Sequence, residues 1–234
     1  MYSPQMVALR EDQLLRTRPS FRALFPHGVP SYSLDDSRAL TSQIVRARAD
    51  DGTPLRSLTK EEEDFISATK LRVTFDYEYW ASRFAYIDEE GHGLRPLYPL
   101  WESQRFTLDL IGRMELERYQ SGHPDGILVN CLKARQLGIS TIAESLVAHR
   151  ILTRTHIRAL SGADVEEQAG YLFRMVNRIY DHLPYFLQTE RLTFVKNRES
   201  SYANGSFLKT AWGKSTRGAL QSVTGQEGSK GALG

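Results

Sequence analysis

The sequence predicts an α/β fold: a parallel sheet flanked by helices, preceded by a helical N-terminal region. Three observations carry this. From residue 127 onward, short apolar runs alternate with longer segments of helical periodicity, the pattern of a helix-covered parallel sheet. Residues 1–74 are polar, with helix-start signals and no strand signal. The 234 residues are 41% hydrophobic and 25% charged, enough to bury a core without disulfides or a structural metal.

The N-terminal region, 1–74, holds three helix candidates. "REDQLLRTRPSFRALF" supports a short helix up to Pro19. "SLDDSRALTSQIVRARA" has Ser33 as N-cap and Leu40, Ile44 and Val45 on one face. "SLTKEEEDFI" sets Thr59 ahead of Glu61, Glu62 and Glu63, whose charges suit the positive end of a helix; they read as a solvated helix start and not a metal site.

The main domain is expected over 75–234. Phe75, Tyr79, Trp80 and Phe84 recur at helical spacing and predict a packed amphipathic helix; base stacking would need those rings exposed. "EEGHG" breaks the chain. Phe106, Leu110 and Met114, spaced by fours, predict a second helix that "SGHPDG" ends. "ILVNCL" at 127–132 reads as a strand, and "GISTIAESLVAHRILT" as a helix with Ile142, Leu146, Val147 and Ile151 on one face. "HIRALSG" is a strand, and "ADVEEQAGYLFRMVNRIYDHL" a helix with Asp164, Glu166 and Glu167 at its start and Pro184 beyond its end. "RLTFVKN" and "SFLKTAW" are strands, with Asn204-Gly205 as a hairpin turn.

Several function classes are disfavoured. The one cysteine, Cys131, allows no intrachain disulfide or zinc finger; in an apolar run with no base nearby it reads as a buried reduced thiol. The six histidines are scattered without a metal-ligand spacing. No apolar stretch reaches the ~18 residues a membrane helix needs, and no signal peptide is visible, so the expectation is a cytosolic protein with no membrane partner. A net charge of +2 neither favours nor excludes nucleic acid.

The segment "CLKARQLGIST", 131–141, has the strand, loop, helix order of a phosphate-binding loop. Unpaired amides and the dipole at a helix N-terminus favour a phosphate there. Gly138 lets the backbone come close, and Ser140 stands where such loops place a Mg²⁺-binding hydroxyl. The spelling departs from G-x-x-x-x-G-K-[ST]: Lys133 takes the first glycine's place and Ile139 the lysine's. Lys133 and Arg135 could supply a cation from the other end of the loop. An ordinary strand-to-helix turn with solvated basic residues is the alternative.

"KARQLGIST" followed by an apolar helix resembles the variant Walker A motif of tailed-phage terminase large subunits, in which the lysine is displaced to the start of the loop. "YWASRFAYI", "LYPLWESQRFTLDLI", "ALSGADVEEQAGYLFRMVNRIYDHLP" and "NGSFLKTAWGKSTRG" resemble the flanking segments, so that the likeness spans about 75–234. It implies a P-loop NTPase-type (ASCE/RecA-like) parallel sheet, incomplete here, because the Walker B half and the nuclease domain are expected beyond Gly234. It further implies ATP and Mg²⁺ as ligands, bound by Gln104, Lys133, Ala134, Arg135, Gln136, Leu137, Gly138, Ile139, Ser140 and Thr141. Gln104 would contact adenine, with Tyr98 and Trp101 beside it either packing on the base or in the core. Lys133 or Arg135 would stabilise the γ-phosphate as the catalytic cation, and Ser140 would hold Mg²⁺.

The activity implied is the ATP-binding part of the motor that packages double-stranded DNA into capsids, not competent for hydrolysis by itself. The partners implied are double-stranded DNA, a small terminase subunit and the capsid portal, with a homo-oligomeric ring in the full-length form, in the host cytoplasm. Lys214 and Arg217 lie in a solvated loop, or reach DNA phosphates or a neighbouring subunit's nucleotide. Two other readings stand beside this one: a helicase-like nucleic-acid ATPase, and a non-catalytic module whose helical N-terminal region docks a partner.

Overall fold

The computed structural model describes residues 32–89, 93–121, 128–131 and 137–213. The first helix candidate, "SGHPDG" after its Ser121, Lys214, Arg217 and the glycine-rich tail lie outside the described residues. The chain divides into two compact units, one of Met1–Ser33 and Pro99–Ile139, the other of Leu34–Tyr98 and Ser140–Gly234.

In the second unit, helix α1 spans Leu34–Arg46 and buries Ser37, Leu40 and Ile44. Val45, expected on that face, is exposed, because it stands one residue past the buried arc. Helix α2, Lys60–Phe75, starts on a capping box: the Thr59 hydroxyl accepts from the Glu62 amide, and the Glu62 carboxylate accepts from the Thr59 amide. Arg56 also grips that carboxylate at 2.5 Å, which explains a glutamate only 2% exposed.

Asp76 ends α2 and caps helix α3, Tyr77–Phe84, accepting from the Tyr79 amide. The predicted aromatic helix is thus two helices meeting at a capping aspartate. Tyr79, Trp80 and Phe84 are buried as expected. Beyond it, Tyr86–Glu89 (β1) and Gly93–Pro96 (β2) form an antiparallel pair that the sequence pattern did not announce.

Helix α5, Ile139–Thr153, belongs to this unit apart from its first residue. Strand β3, Arg158–Ala163, leads to helix α6, Glu166–Asp181, then to a 3₁₀ turn at Tyr185–Leu187. Strands β4 (Arg191–Val195), β5 (Glu199–Tyr202) and β6 (Phe207–Trp212) complete a four-stranded sheet in the order β3-β6-β5-β4. Only β3 and β6 are parallel; β6, β5 and β4 run as antiparallel neighbours. The fold is α/β, but its sheet is mixed rather than parallel, because two short turns join the last three strands. One turn has Asn197 at φ 61°, the other Gly205 at φ 78° within the predicted Asn204-Gly205 hairpin.

α6 packs against β3, β6 and β1, burying Phe173, Val176 and Ile179. Leu208, Tyr202, Ile142, Ile151 and Phe65 are also fully buried.

In the first unit, helix α4 spans Glu102–Ser121. Among its described side chains Gln104, Thr107 and Leu108 are buried, whereas Phe106 is 64% exposed. Residues 128–131, expected within a strand, carry no strand pairing. Cys131, expected buried, is exposed. No described helix is long and apolar enough to cross a membrane.

Candidate functional site

The loop expected to hold phosphate is described from Leu137 onward; Lys133, Ala134, Arg135 and Gln136 lie outside the described residues. Gly138 has φ 66°, a left-handed conformation that a side chain would strain, and the helix begins at the next residue. A Cβ there would overlap the Gln104 carboxamide nitrogen and stand 3.2 Å from Trp101 Cε3. Glycine is therefore required both by the backbone and by the close approach of α4.

That approach is built from the start of α4. Gln104 is only 4% exposed. Its Oε1 accepts from the Trp101 amide at 3.0 Å, satisfying a donor at the helix N-terminus, and its Nε2 donates to the Gly138 carbonyl at 3.2 Å. Ser103 Oγ donates to the Leu137 carbonyl at 2.9 Å. Sequence reasoning singled out Gln104 for adenine; the structure gives its carboxamide two backbone partners, one on the loop. Ser103 was missed, and its only signal was adjacency to Gln104. Trp101 is half exposed and Tyr98 partly buried.

The first turn of α5 carries Ile139, Ser140 and Thr141 and no acidic side chain, so its positive end is not neutralised from within. Ser140 is exposed, and its hydroxyl makes no hydrogen bond among the described residues. That hydroxyl suits the Mg²⁺ role, since Mg²⁺ in phosphate loops takes one hydroxyl plus phosphate and water oxygens. Among the described residues, no group of three or more His, Cys, Asp or Glu side chains gathers as a metal site.

α5 also buries two titratable groups that sequence reasoning passed over. Glu144 accepts a hydrogen bond from Ser161 Oγ on β3 at 2.8 Å, and burial pushes its carboxyl up to about 7 against the lowering effect of that bond. His149 stands 2.6 Å from the Val73 carbonyl, in contact with the rings of Trp80 and Tyr77. Burial holds its imidazole down to about 4, so near neutrality it is uncharged and donates its Nε2 proton to that carbonyl. Nearby, Tyr77 Oη and Ser145 Oγ are 2.5 Å apart, and burial raises the phenol well above its usual range. A charged or polar residue inside an otherwise apolar helical stripe was the available signal for both.

A scan against protein-family models finds no match, and no curated protein matches the chain.

Proposed function

We propose that the chain is the nucleotide-binding part of a DNA-packaging ATPase of the tailed-phage terminase type. The observation that carries this reading is the sequence "KARQLGIST" with a left-handed Gly138 and a first turn of α5 that holds no acidic side chain. The loop backbone and the helix start would cradle the phosphates of ATP, through residues Gly138 to Thr141. Lys133 or Arg135 would supply the cation that Ile139 cannot, and Ser140 Oγ would be the protein's ligand to Mg²⁺. Bound Mg²⁺ would neutralise phosphate charge. Gln104 would hold the loop's glycine in place, with adenine contact as a further role. The P-loop-type sheet belongs to the same proposal, with the parallel β3–β6 pair as the described feature that fits it. Double-stranded DNA, a small terminase subunit and the capsid portal are the proposed partners.

The test is titration with a fluorescent ATP analogue, with and without Mg²⁺. The proposal expects saturable binding that Mg²⁺ strengthens, and a Ser140→Ala variant that loses the Mg²⁺ dependence. A folded, unmutated chain that binds no analogue rejects it.

A further inference from the structure

We propose that a cavity at the C-terminal end of α5 is a binding site for a free aromatic α-amino acid. The cavity is separate from the nucleotide site: it reaches Leu152 and Thr153, about 20 Å along the helix from Ser140 at the usual rise per residue. It measures about 250 Å³ and opens between the C-terminal halves of α2 and α5 and the segment 183–189. That volume falls just short of the ~300–1,000 Å³ of drug-sized sites, so the occupant is a smaller molecule. One wall is fastened in place. Gln188 Nε2 donates to the carbonyls of Tyr180 and Leu183, at 3.2 and 2.9 Å, and Thr189 Oγ1 donates to the Leu152 carbonyl at 3.2 Å. The segment after the 3₁₀ turn is thereby tied to both α6 and α5, and the cavity is preformed.

The occupant follows from the lining. Val73, Trp80, Leu152, Leu183 and Phe186, all buried, supply an apolar floor. Its two rings suit an aromatic guest, which packs edge-to-face or offset. The polar lining is one-sided. Thr74 Oγ1 donates to the Lys70 carbonyl at 2.9 Å and Thr153 Oγ1 to the His149 carbonyl at 2.6 Å. With Gln188 and Thr189, four polar side chains thus commit their protons to the backbone and keep acceptor oxygens. Acceptors call for a ligand that donates, as an ammonium does. The Lys70 ammonium is the opposite case: it lines the cavity, is exposed and makes no ion pair among the described residues. It calls for an anion. An ammonium, a carboxylate and an apolar ring on one small molecule are the groups of an aromatic α-amino acid.

Titration of the full chain with L-phenylalanine, followed through the methyl resonances of Val73, Leu152 and Leu183, tests this. The expected result is saturable shifts at those methyls. L-phenylalaninamide, which lacks the carboxylate, should bind about fivefold more weakly, the worth of one partly exposed ion pair. Lys70→Gln should weaken L-phenylalanine by the same factor and leave L-phenylalaninamide unchanged, which also excludes a folding defect as the cause. No saturable shift at millimolar ligand, shifts confined to other parts of the chain, or a Lys70→Gln variant that binds L-phenylalanine as tightly as the parent would each overturn the proposal.

Discussion

The Gln104 side chain donates to the carbonyl of Gly138, 34 residues away, while accepting from the Trp101 amide at the start of its own helix. One buried carboxamide thus caps α4 and holds the last loop residue before α5. Gln104→Ala would leave a helix-end amide and a loop carbonyl without partners, at about 1 kcal/mol each. Amide hydrogen exchange should accelerate at Trp101 and around Gly138, with the rest of the chain unchanged.

Gly138→Ala meets two obstacles, the positive φ and the overlap with Gln104. The backbone cost alone is about 1–2 kcal/mol. If the loop holds phosphate and the free variant relaxes out of the left-handed conformation, regaining that conformation on binding should weaken the ATP analogue by about five- to thirtyfold.

α5 should give the chain opposing responses to pH. Glu144 has a raised pKa in the fold, so its contribution is complete below about 4.5 and lost as pH rises through about 7. His149 has a lowered one, so its contribution is complete above 6.5 and lost as pH falls through about 4. Thermal melts should therefore show greatest stability between about pH 5 and 6.5 from these two groups. Glu144→Gln should match the parent at pH 4.5 and exceed it at pH 8; a parallel pH profile for the two proteins would contradict the assignment.

The α2 cap responds at lower pH. The Arg56 guanidinium, with the Thr59 amide behind it, holds the Glu62 carboxyl down to about 2. Its contribution is present above 4.5 and lost as pH falls through about 2. Thr59→Ala should cost about 1 kcal/mol in chemical denaturation at neutral pH.

The β5–β6 turn is locked to the end of α5 and the segment that leads into β3. Asn204 Nδ2 donates to the carbonyls of Ile151 and Arg154, and a Cβ on Gly205 would stand 2.5 Å from His156 Nδ1. Gly205→Ala should lower stability by more than the ~1–2 kcal/mol of its φ alone, while Asn204→Ala should cost about as much as two lost backbone partners, ~2 kcal/mol. Denaturant melts of the two variants and the double mutant measure the coupling.

How far these features were legible in the sequence depends on the range of the interaction that fixes them. Thr59, the Asn204-Gly205 turn and the break before Pro184 are local, and the elements they bound stand where the pattern puts them. Helix faces were harder. Phe106, Leu110 and Met114 are evenly spaced, yet Phe106 is exposed, and among the described side chains of α4 the buried ones are Gln104, Thr107 and Leu108, of which Gln104 bonds the loop. β5, "ESSY", has no apolar alternation; its buried Ser200 and Tyr202 are a strand signal only once the neighbours are known. Its antiparallel placement makes the sheet mixed. At the candidate site, the glycine turn at Gly138 and the helix start after it were legible because a loop motif is contiguous, whereas the clasp from Ser103 and the burial of Glu144 depend on distant segments.

The central claim is that the loop before α5 holds nucleotide with a cation displaced from the usual place. Calorimetric titration with Mg²⁺-ATP of the parent chain and of Lys133→Ala, Arg135→Ala and the double variant tests it most directly. The account predicts measurable binding by the parent, weakened by at least one single variant and abolished in the double. Absence of binding by the folded parent, or equal binding by parent and double variant, would contradict it.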